Sequence, residues 1–292
     1  MRYSLLCLAG AVMATARPLA QSSPTYFFTF GDSYSQSNFD VNGTQPSASN
    51  PMGNPELGTG TTGGGINWVG YLTTVDNSSL VLNYNLAIGG ATISNNLVSV
   101  AYEDMTSQVA TFEKSYSEKP ESAPWSSKDA IFGFWIGIND VGNAFWQNQS
   151  SALVPNLMDQ YESLIKEIYN DGGRKFLFLN VPPTNRSPYF IDQGSDTTTQ
   201  LAAWIQAYND GLANMVETFK SEHSDVTTVI YDTHSFMNKV LDSPVKYGYL
   251  NATCINDNGE SCVWWNNYHP GTKYHKLQAA DMKSHLKSLG AW

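Results

Sequence analysis

An apolar run leads directly into a glycine, an aspartate and a serine in the segment Tyr26-Phe27-Phe28-Thr29-Phe30-Gly31-Asp32-Ser33. The run Tyr26–Phe30 is typical of a strand that is buried on both faces, and Gly31 marks the turn that ends it. Four other runs along the chain have the same apolar character: Leu80–Asn85, Ala130–Ile138, Lys175–Val181 and Thr227–Tyr231. The sequence therefore predicts five buried strands, with Ser33 close behind the first.

Segments with one apolar stripe at helical spacing lie between these runs. A last helix is predicted to begin at Thr272, as its N-cap, and to end at Gly290. Because strands that alternate with helices form parallel β-α-β units, we predict an α/β fold, a flavodoxin-like three-layer α/β/α sandwich around a parallel five-stranded sheet. Sites in such sheets form at the carboxyl ends of the strands. The other predicted helices are Ile66–Leu72, Met105–Tyr116, Leu153–Tyr169 and Leu201–Phe219.

Composition excludes several classes of protein. The 292 residues are 41% hydrophobic and only 14% charged, so the chain is not disordered. The formal net charge of −10 and the lack of a basic cluster argue against a nucleic-acid partner, because phosphates attract Lys and Arg. The one membrane-like stretch, at the N-terminus, is too short to cross a bilayer. The composition therefore argues against nucleic-acid and membrane partners. We also expect the protein to be a monomer.

Residues 1–20 are typical of a secretory signal peptide. Arg2 supplies the positive charge, residues 5–13 form the apolar run, and cleavage is expected after Ala16 or Ala20. No repeat, linker or change in composition divides the remainder. We therefore predict a secreted, extracellular protein in which residues 21–292 form one domain.

Cysteine usage agrees with export. Cys7 leaves with the signal peptide, so the mature chain contains Cys254 and Cys262, and such a pair in an exported protein is a candidate disulfide. Sequons for N-glycosylation suit the same compartment. The four predicted glycosylation sites are Asn42, Asn77, Asn148 and Asn251.

Ser33 is a candidate nucleophile, but a serine hydroxyl needs a base that takes its proton. His269 is the strongest candidate base, because Trp264-Trp265-Asn266-Asn267-Tyr268-His269-Pro270 is typical of a rigid loop just before the last helix. A core histidine among aromatic residues is the alternative. His234, which follows a strand, is a weaker candidate base. The remaining histidines are expected on the solvated surface: His223, His275 and His285.

An ester carbonyl that a serine attacks also needs donors for the charge that develops on its oxygen. Two segments that follow strands offer them. The glycine pair in Asn85-Leu86-Ala87-Ile88-Gly89-Gly90-Ala91-Thr92 permits close approach of the backbone N–H groups. Gly137-Ile138-Asn139-Asp140 supplies an amide side chain. Either segment alone is more often an ordinary turn.

Together with Gly31-Asp32-Ser33 and Tyr268-His269-Pro270, these blocks occur in the order and spacing of the GDSL/SGNH hydrolases. The sequence around these blocks, F-G-D-S-Y and F-W-I-G-I-N-D-V-G-N, resembles that of fungal secreted acetylesterases of carbohydrate esterase family 16. The resemblance implies an SGNH hydrolase-like fold in which Ser33 is the nucleophile and the first oxyanion donor. It also implies that the Gly90 N–H and the Asn139 side chain are the other donors and that His269 is the general base and acid. Because the base must be neutral, the rate is expected to fall on acidification around pH 5–6.

One position departs from the family pattern. The wider family has Asp three residues before the histidine, and this chain has Asn266 there. An Asn oxygen accepts a hydrogen bond from Nδ1–H but brings no charge to stabilise the imidazolium. In serine proteases, the exchange of the triad Asp for Asn lowers turnover by about 10⁴. Three alternatives stay open: Asn266 orients His269, a backbone carbonyl near Trp264–Trp265 orients it, or the protein is an inactive relative. We expect a working enzyme, because every other block is intact.

The resemblance implies a carboxylic ester hydrolase that removes short acyl groups, chiefly acetyl, from hemicellulose-derived saccharides such as xylo-oligosaccharides. Because aromatic faces stack on sugar rings, Trp146, Trp264 and Trp265 are candidates for lining a substrate cleft. The alternatives are a lipase or phospholipase on the same scaffold and a non-catalytic, carbohydrate-binding relative. No cofactor is expected and, since the sequence has no clustered His/Cys set, no metal.

A glycine-rich stretch, Gly58-Thr59-Gly60-Thr61-Thr62-Gly63, matches the pattern G-x-G-x-x-G. A dinucleotide site needs a strand directly before this pattern and an acidic residue about twenty positions after it, and neither occurs here. The stretch is therefore interpreted as a loop that borders the catalytic face.

Overall fold

The computed structural model of the protein describes residues 23–147 and 150–292, and a parallel sheet lies at its centre. The strands are β1 (Thr25–Gly31), β2 (Val81–Asn85), β3 (Ala130–Trp135), β4 (Lys175–Leu179) and β5 (Thr227–Tyr231). Their order in the sheet is β2-β1-β3-β4-β5, and every neighbouring pair is parallel. The predicted parallel sheet of five strands is confirmed, but β5 is not buried as predicted, since Ile230 is 39% exposed and only Tyr231 of this strand is buried.

Helices cover both faces of this sheet. On one face α2 (Met105–Tyr116), α4 (Ser150–Asn170) and α6 (Ser195–Glu222) pack in one layer. On the other face α1 (Trp68–Thr74) packs against α8 (Thr272–His285). The predicted three-layer sandwich is therefore confirmed. Three further α-helices complete the described set: α3 (Ile138–Ala144), α5 (Pro188–Ile191) and α7 (Thr233–Asp242).

The central strand β1 shows why its sequence is apolar throughout. Successive side chains of a strand point to opposite faces of the sheet. Phe27 contacts Trp68 of α1, with ring centroids 6.2 Å apart. Phe28 packs on the other face, where its ring lies 5.0 Å from that of Phe112 in α2. Because both faces are covered, the alternation between polar and apolar residues that marks a half-exposed strand is lost.

Strand order brings the predicted motifs to one edge. β1 lies between β2 and β3, and the carboxyl ends of parallel strands share an edge of the sheet. The chain leaves β1 toward Ser33, leaves β2 toward Gly90, and leaves β3 toward Asn139. The backbone N–H of Ile88 donates to the carbonyl of Gly31 at 3.0 Å, which ties the segment after β2 to the end of β1.

The strand predicted over Ala130–Ile138 ends earlier, at Trp135. Gly137 has a left-handed backbone, with φ of 114°, and α3 begins at the next residue. The apolar run continues past the strand because Ile138 is buried inside the first turn of α3. Asn139 consequently lies on a short helix instead of extending from a strand.

The last helix also differs from its prediction. Thr272 is its first residue instead of its N-cap, because the Thr272 hydroxyl donates to the carbonyl of Ile66 at 2.7 Å and does not cap the helix. The α-helix ends at His285, before the predicted Gly290. A turn of 3₁₀-helix over Lys287–Leu289 fills the remaining length.

The predicted disulfide is present. Cys254 and Cys262 are bonded, with their Cα atoms 5.4 Å apart. Among the predicted glycosylation sites, Asn42 and Asn251 are exposed, whereas Asn77 is half-buried and its amide donates to the carbonyl of Thr73 at 2.7 Å. The signal peptide over residues 1–20 and the sequon at Asn148 lie outside the described residues. Within the described ranges, no helix is long and apolar enough to span a membrane.

Candidate active site

The turn after β1 fixes the position of Ser33. A Cβ on Gly31 would lie 2.4 Å from the carbonyl oxygen of Trp135, so only glycine permits this close approach of β1 and β3. The Gln108 side chain accepts from the Gly31 N–H at 2.9 Å and donates to the Gly31 carbonyl at 2.8 Å. Asp32 accepts from the N–H of Tyr34 at 2.9 Å, which stabilises the turn. The backbone on either side of Ser33 is therefore fixed.

His269 meets Ser33 at this edge. Its Nε2 lies 2.8 Å from the Oγ of Ser33, although the two residues are 236 positions apart in the sequence. The structure thus brings the Ser33 hydroxyl and the His269 imidazole together, as predicted.

Asn266 contacts the other side of the imidazole. Its Oδ1 accepts from the N–H groups of Tyr268 and His269, at 2.8 and 2.7 Å, and lies 3.1 Å from Nδ1 of His269. The N–H of Trp265 donates to the carbonyl of His269 at 2.8 Å and closes the turn. Within residues 23–147 and 150–292, no backbone carbonyl near Trp264–Trp265 bonds the ring, so the structure favours Asn266 over that alternative.

These contacts assign the tautomer of His269. The Asn266 atom that faces two backbone N–H groups has to be the carbonyl oxygen, because an NH₂ group accepts nothing from them. That oxygen is an acceptor only, so Nδ1 of His269 carries the proton. Nε2 is then the lone-pair nitrogen, and the Ser33 hydroxyl donates to it.

Burial controls the charge of this imidazole. Desolvation lowers the pKa of His269 from its ordinary 6.5 to about 4. No carboxylate opposes the shift, because Asn266 stands where the wider family has Asp. The ring therefore stays neutral well below pH 6, and the acid limb expected around pH 5–6 moves to about 4.

The predicted oxyanion donors are placed as follows. Within the described residues, the N–H groups of Ser33 and Gly90 donate to no other group. Gly90 has a φ of +81°, a left-handed conformation that side chains rarely adopt. The Asn139 amide donates one hydrogen to the carbonyl of Ala91 at 2.9 Å, which fixes it beside Gly90 and leaves its second hydrogen for a ligand.

Two buried carboxyl groups flank these donors. Desolvation raises the pKa of Asp32 to about 8 and that of Asp140 to about 7. Burial thus favours the protonated, neutral form of both carboxyl groups. A neutral carboxyl spares an oxyanion near Ser33 and Asn139 the repulsion of a second negative charge.

Sequence reasoning missed two residues that support the site. Thr62 donates through its hydroxyl to the carbonyl of Ser33 at 2.6 Å, so the glycine-rich loop borders the serine turn as predicted. The hydroxyl of Tyr34 donates to the carbonyl of Tyr268 at 2.5 Å and links the serine turn to the histidine loop. Both bonds join segments far apart in the chain, and no local pattern indicates them.

The three tryptophans predicted to line a cleft lie in different environments. Trp264 is fully buried, and its indole N–H donates to the carbonyl of Ala252 at 2.8 Å, so its assignment to a cleft is wrong. Trp265 is half-buried and packs on Gly64, and its indole N–H donates to the backbone carbonyl of Asp257 at 3.0 Å. Trp146 is 64% exposed. None of the three lines the cavity beside Asn139 and Tyr268.

Among the described residues, no other histidine forms a hydrogen bond with Ser33. His275 is buried in α8, in contrast to the predicted surface position, because α8 turns this side toward the glycine-rich loop. Burial lowers the pKa of His275 to about 3.

His223 is half-buried against Tyr169, and the centroids of the two rings lie 4.1 Å apart. His285 is exposed, as predicted. His234 contacts Asn238 on α7 instead of Ser33. No group of His, Cys, Asp and Glu in the described ranges is arranged to hold a metal ion.

Comparison with curated proteins places the chain among known esterases. An acetylesterase of Thermothelomyces thermophilus is 43% identical over 282 residues, which cover 94% of this chain and 93% of that protein. The GDSL esterase/lipase LIP-4 of Arabidopsis thaliana is 25% identical over 290 residues, 84% of this chain and 74% of the plant protein.

Solved structures share the fold at low sequence identity. An acetylxylan esterase from Geobacillus stearothermophilus is 14% identical with a TM-score of 0.52, and the match covers 93% of this chain and 97% of that one. An alpha/beta hydrolase from the metagenome of Lake Arreo, Spain, is 13% identical with a TM-score of 0.52, covering 91% and 95%. The profile of GDSL-like lipases and acylhydrolases matches residues 27–282. With its motifs in order on this fold, the chain belongs to the GDSL-like lipase/acylhydrolase family.

Proposed function

We propose that the protein is a secreted serine esterase that removes acetyl groups from xylo-oligosaccharides derived from hemicellulose. The observation that carries the proposal is the 2.8 Å contact between the Ser33 hydroxyl and the lone-pair nitrogen of His269. Its family and its 43% identity to an acetylesterase support a carboxylic ester hydrolase. The same contact argues against a non-catalytic carbohydrate-binding relative.

The first half of the reaction forms an acetyl-enzyme. Nε2 of His269 takes the proton of Ser33 as Oγ bonds to the ester carbonyl carbon. The carbonyl oxygen becomes an oxyanion and accepts from the N–H groups of Ser33 and Gly90 and from the Asn139 amide. As the carbonyl re-forms, the bond to the sugar oxygen breaks, and protonated Nε2 donates its hydrogen to that oxygen.

The second half returns the enzyme to its starting state. A water molecule gives a proton to Nε2 of His269 and bonds to the acetyl carbon. The same three donors stabilise the second oxyanion. When it collapses, the bond to Oγ breaks, acetic acid forms, and Nε2 returns the proton to Ser33.

Asn266 orients His269 in this scheme without carrying a charge. Its oxygen fixes the ring with Nδ1 protonated, so Nε2 faces Ser33 as a base. It supplies no counter-charge, so the imidazolium is stabilised less than it is beside a carboxylate. Because the pKa of His269 is lowered to about 4, the base is weak and the protonated ring is a strong acid toward the leaving alcohol.

The cellular setting completes the proposal. The predicted signal peptide over residues 1–20, the disulfide and the exposed sequon at Asn251 suit an extracellular protein. We propose that residues 21–292 act as one domain and as a monomer on soluble saccharides.

The proposal is tested by substrate preference. The purified protein is assayed with acetylated xylo-oligosaccharides, with 4-nitrophenyl acetate and with a long-chain acyl ester of 4-nitrophenol. We expect hydrolysis of both acetates and a kcat/KM for the long-chain ester at least about tenfold lower, and we expect Ser33→Ala to reduce turnover by about 10³-fold or more. Preference for the long-chain ester would favour a lipase instead, and full activity of Ser33→Ala would exclude this nucleophile.

A further inference from the structure

A cavity of about 290 Å³ is lined by residues that neighbour the proposed catalytic groups in the chain. It contains one of the proposed oxyanion donors, and Tyr268, which precedes His269 in the chain, forms part of its wall. The lining residues that matter are Asn139, Asn143, Asn267, Tyr189, Phe190 and Tyr268.

The position of this cavity indicates which half of the ester it takes. In the scheme above, Nε2 of His269 protonates the leaving alcohol, so that alcohol has to lie next to the histidine turn. The lining of the cavity includes Asn139 and also residues 267 and 268 of that turn. A second cavity, of about 260 Å³, lies beyond the end of β2 and includes no residue of the histidine turn. Of these two cavities, only the first borders the turn that carries the proton donor.

The polar groups of the cavity are neutral. Three amide side chains line it, and no Lys, Arg, Asp or Glu does. The Asn143 amide donates to the carbonyl of Asn139 at 2.8 Å, whereas the Asn267 side chain is exposed and bonds no described residue. Amides both donate to and accept from hydroxyl groups, and a phosphate or carboxylate ligand would call for a cation. This lining fits an uncharged polyol.

An aromatic ring forms an exposed platform at the same place. Tyr189 is 46% exposed, and its backbone N–H donates to the carbonyl of Asn267 at 2.8 Å. Its ring packs edge-on against Phe190 and Tyr268, with centroids 5.0 and 5.9 Å away. Two edge contacts fix the ring orientation before a ligand arrives, which reduces the entropy lost on binding.

We propose that this cavity is the subsite for the leaving saccharide, in which Tyr189 stacks on a sugar ring and the amides of Asn143 and Asn267 bind its hydroxyls. The proposal rests on the proposed function, since it assigns the saccharide half of that substrate to named residues. It replaces the predicted tryptophan cleft with a tyrosine and asparagine subsite.

The test compares Tyr189→Ala with Ile191→Ala, a residue of the same short helix that is 43% exposed and does not line the cavity. For each protein, kcat/KM is measured with an acetylated xylo-oligosaccharide and with 4-nitrophenyl acetate. We expect Tyr189→Ala to lower the ratio of the two values about tenfold, mainly through KM for the saccharide, and Tyr189→Phe to retain most of it. Ile191→Ala is expected to leave the ratio unchanged.

A binding measurement separates this inference from the proposed function. Unacetylated xylotriose is titrated into Ser33→Ala, alone and combined with Asn267→Ala or Tyr189→Ala. Weaker binding in both combined variants supports the subsite. The subsite, but not the proposed function, would be overturned by another result. In that result Tyr189→Ala changes neither the ratio of the two kcat/KM values nor the affinity for xylotriose, while the wild type still releases acetyl groups. Failure of the wild type to hydrolyse any acetylated saccharide would overturn both.

Discussion

Ser33 and His269 meet at one edge of the sheet, but different kinds of contact hold them there. Ser33 follows β1 by two residues, and its turn is fixed by the neighbouring strand and by Gln108. His269 lies on a long loop that starts after α7 and ends at α8. The serine position is thus determined by the sheet, whereas the imidazole position depends on contacts between distant parts of the chain.

The histidine loop is stabilised at several points. The disulfide between Cys254 and Cys262 closes its middle, and the buried Trp264 donates to the carbonyl of Ala252. Tyr34 reaches across from the serine turn to the carbonyl of Tyr268. Loss of one contact on this side is therefore expected to affect His269 before it affects Ser33.

Removal of the disulfide has the largest expected effect on the free energy of unfolding. A cross-link over so short a loop stabilises the folded state by about 2–3 kcal/mol, because it restricts the unfolded chain. We expect the double variant Cys254→Ser/Cys262→Ser to lose about this amount in guanidinium unfolding. We also expect it to lose esterase activity at a temperature below its global unfolding, since the histidine loop loosens first.

The wild type with and without a reducing agent is the control, because the double variant should no longer respond to reduction. If activity and global structure disappear at the same temperature in the variant, the loop has no separate dependence on this bond, and the contrast between the two regions fails.

Loss of the Asn266 side chain is expected to change a free energy by less than loss of the disulfide does. Its effect is on turnover, because Asn266 contacts the catalytic imidazole. In Asn266→Ala the imidazole loses the acceptor for Nδ1, and the turn loses the acceptor for two backbone N–H groups. We expect kcat to fall at least tenfold, about 1.4 kcal/mol of transition-state stabilisation. Steady-state kinetics on 4-nitrophenyl acetate measure it, with circular dichroism to verify the fold. An unchanged kcat would mean that another group orients the ring.

The same contrast explains what the sequence predicts and what it does not. The strands and the place of Ser33 follow from local patterns, because a fully buried strand and its glycine turn are encoded within about ten residues. The burial of Trp264 and of His275 depends on which elements pack over them, and aromatic or histidine content alone does not reveal that. For the same reason Thr62 was found only from the structure, where its hydroxyl contacts the carbonyl of Ser33.

The smallest expected effect is a shift in the pH dependence of kcat/KM. This measurement reports on the imidazole of His269 alone. The reaction needs Nε2 of His269 to be unprotonated, and burial lowers the pKa of His269 to about 4. We therefore expect kcat/KM to stay level down to about pH 5 and to fall tenfold per pH unit below 4.

Asn266→Asp places a carboxylate beside Nδ1 of His269, which favours the imidazolium and raises this pKa by about 1–3. The acid limb of the variant should therefore appear at higher pH than that of the wild type. Coincident profiles of kcat/KM from pH 3 to 8 would show that residue 266 does not act on the ring. A wild-type limb at pH 6 or above would show that burial does not depress this pKa.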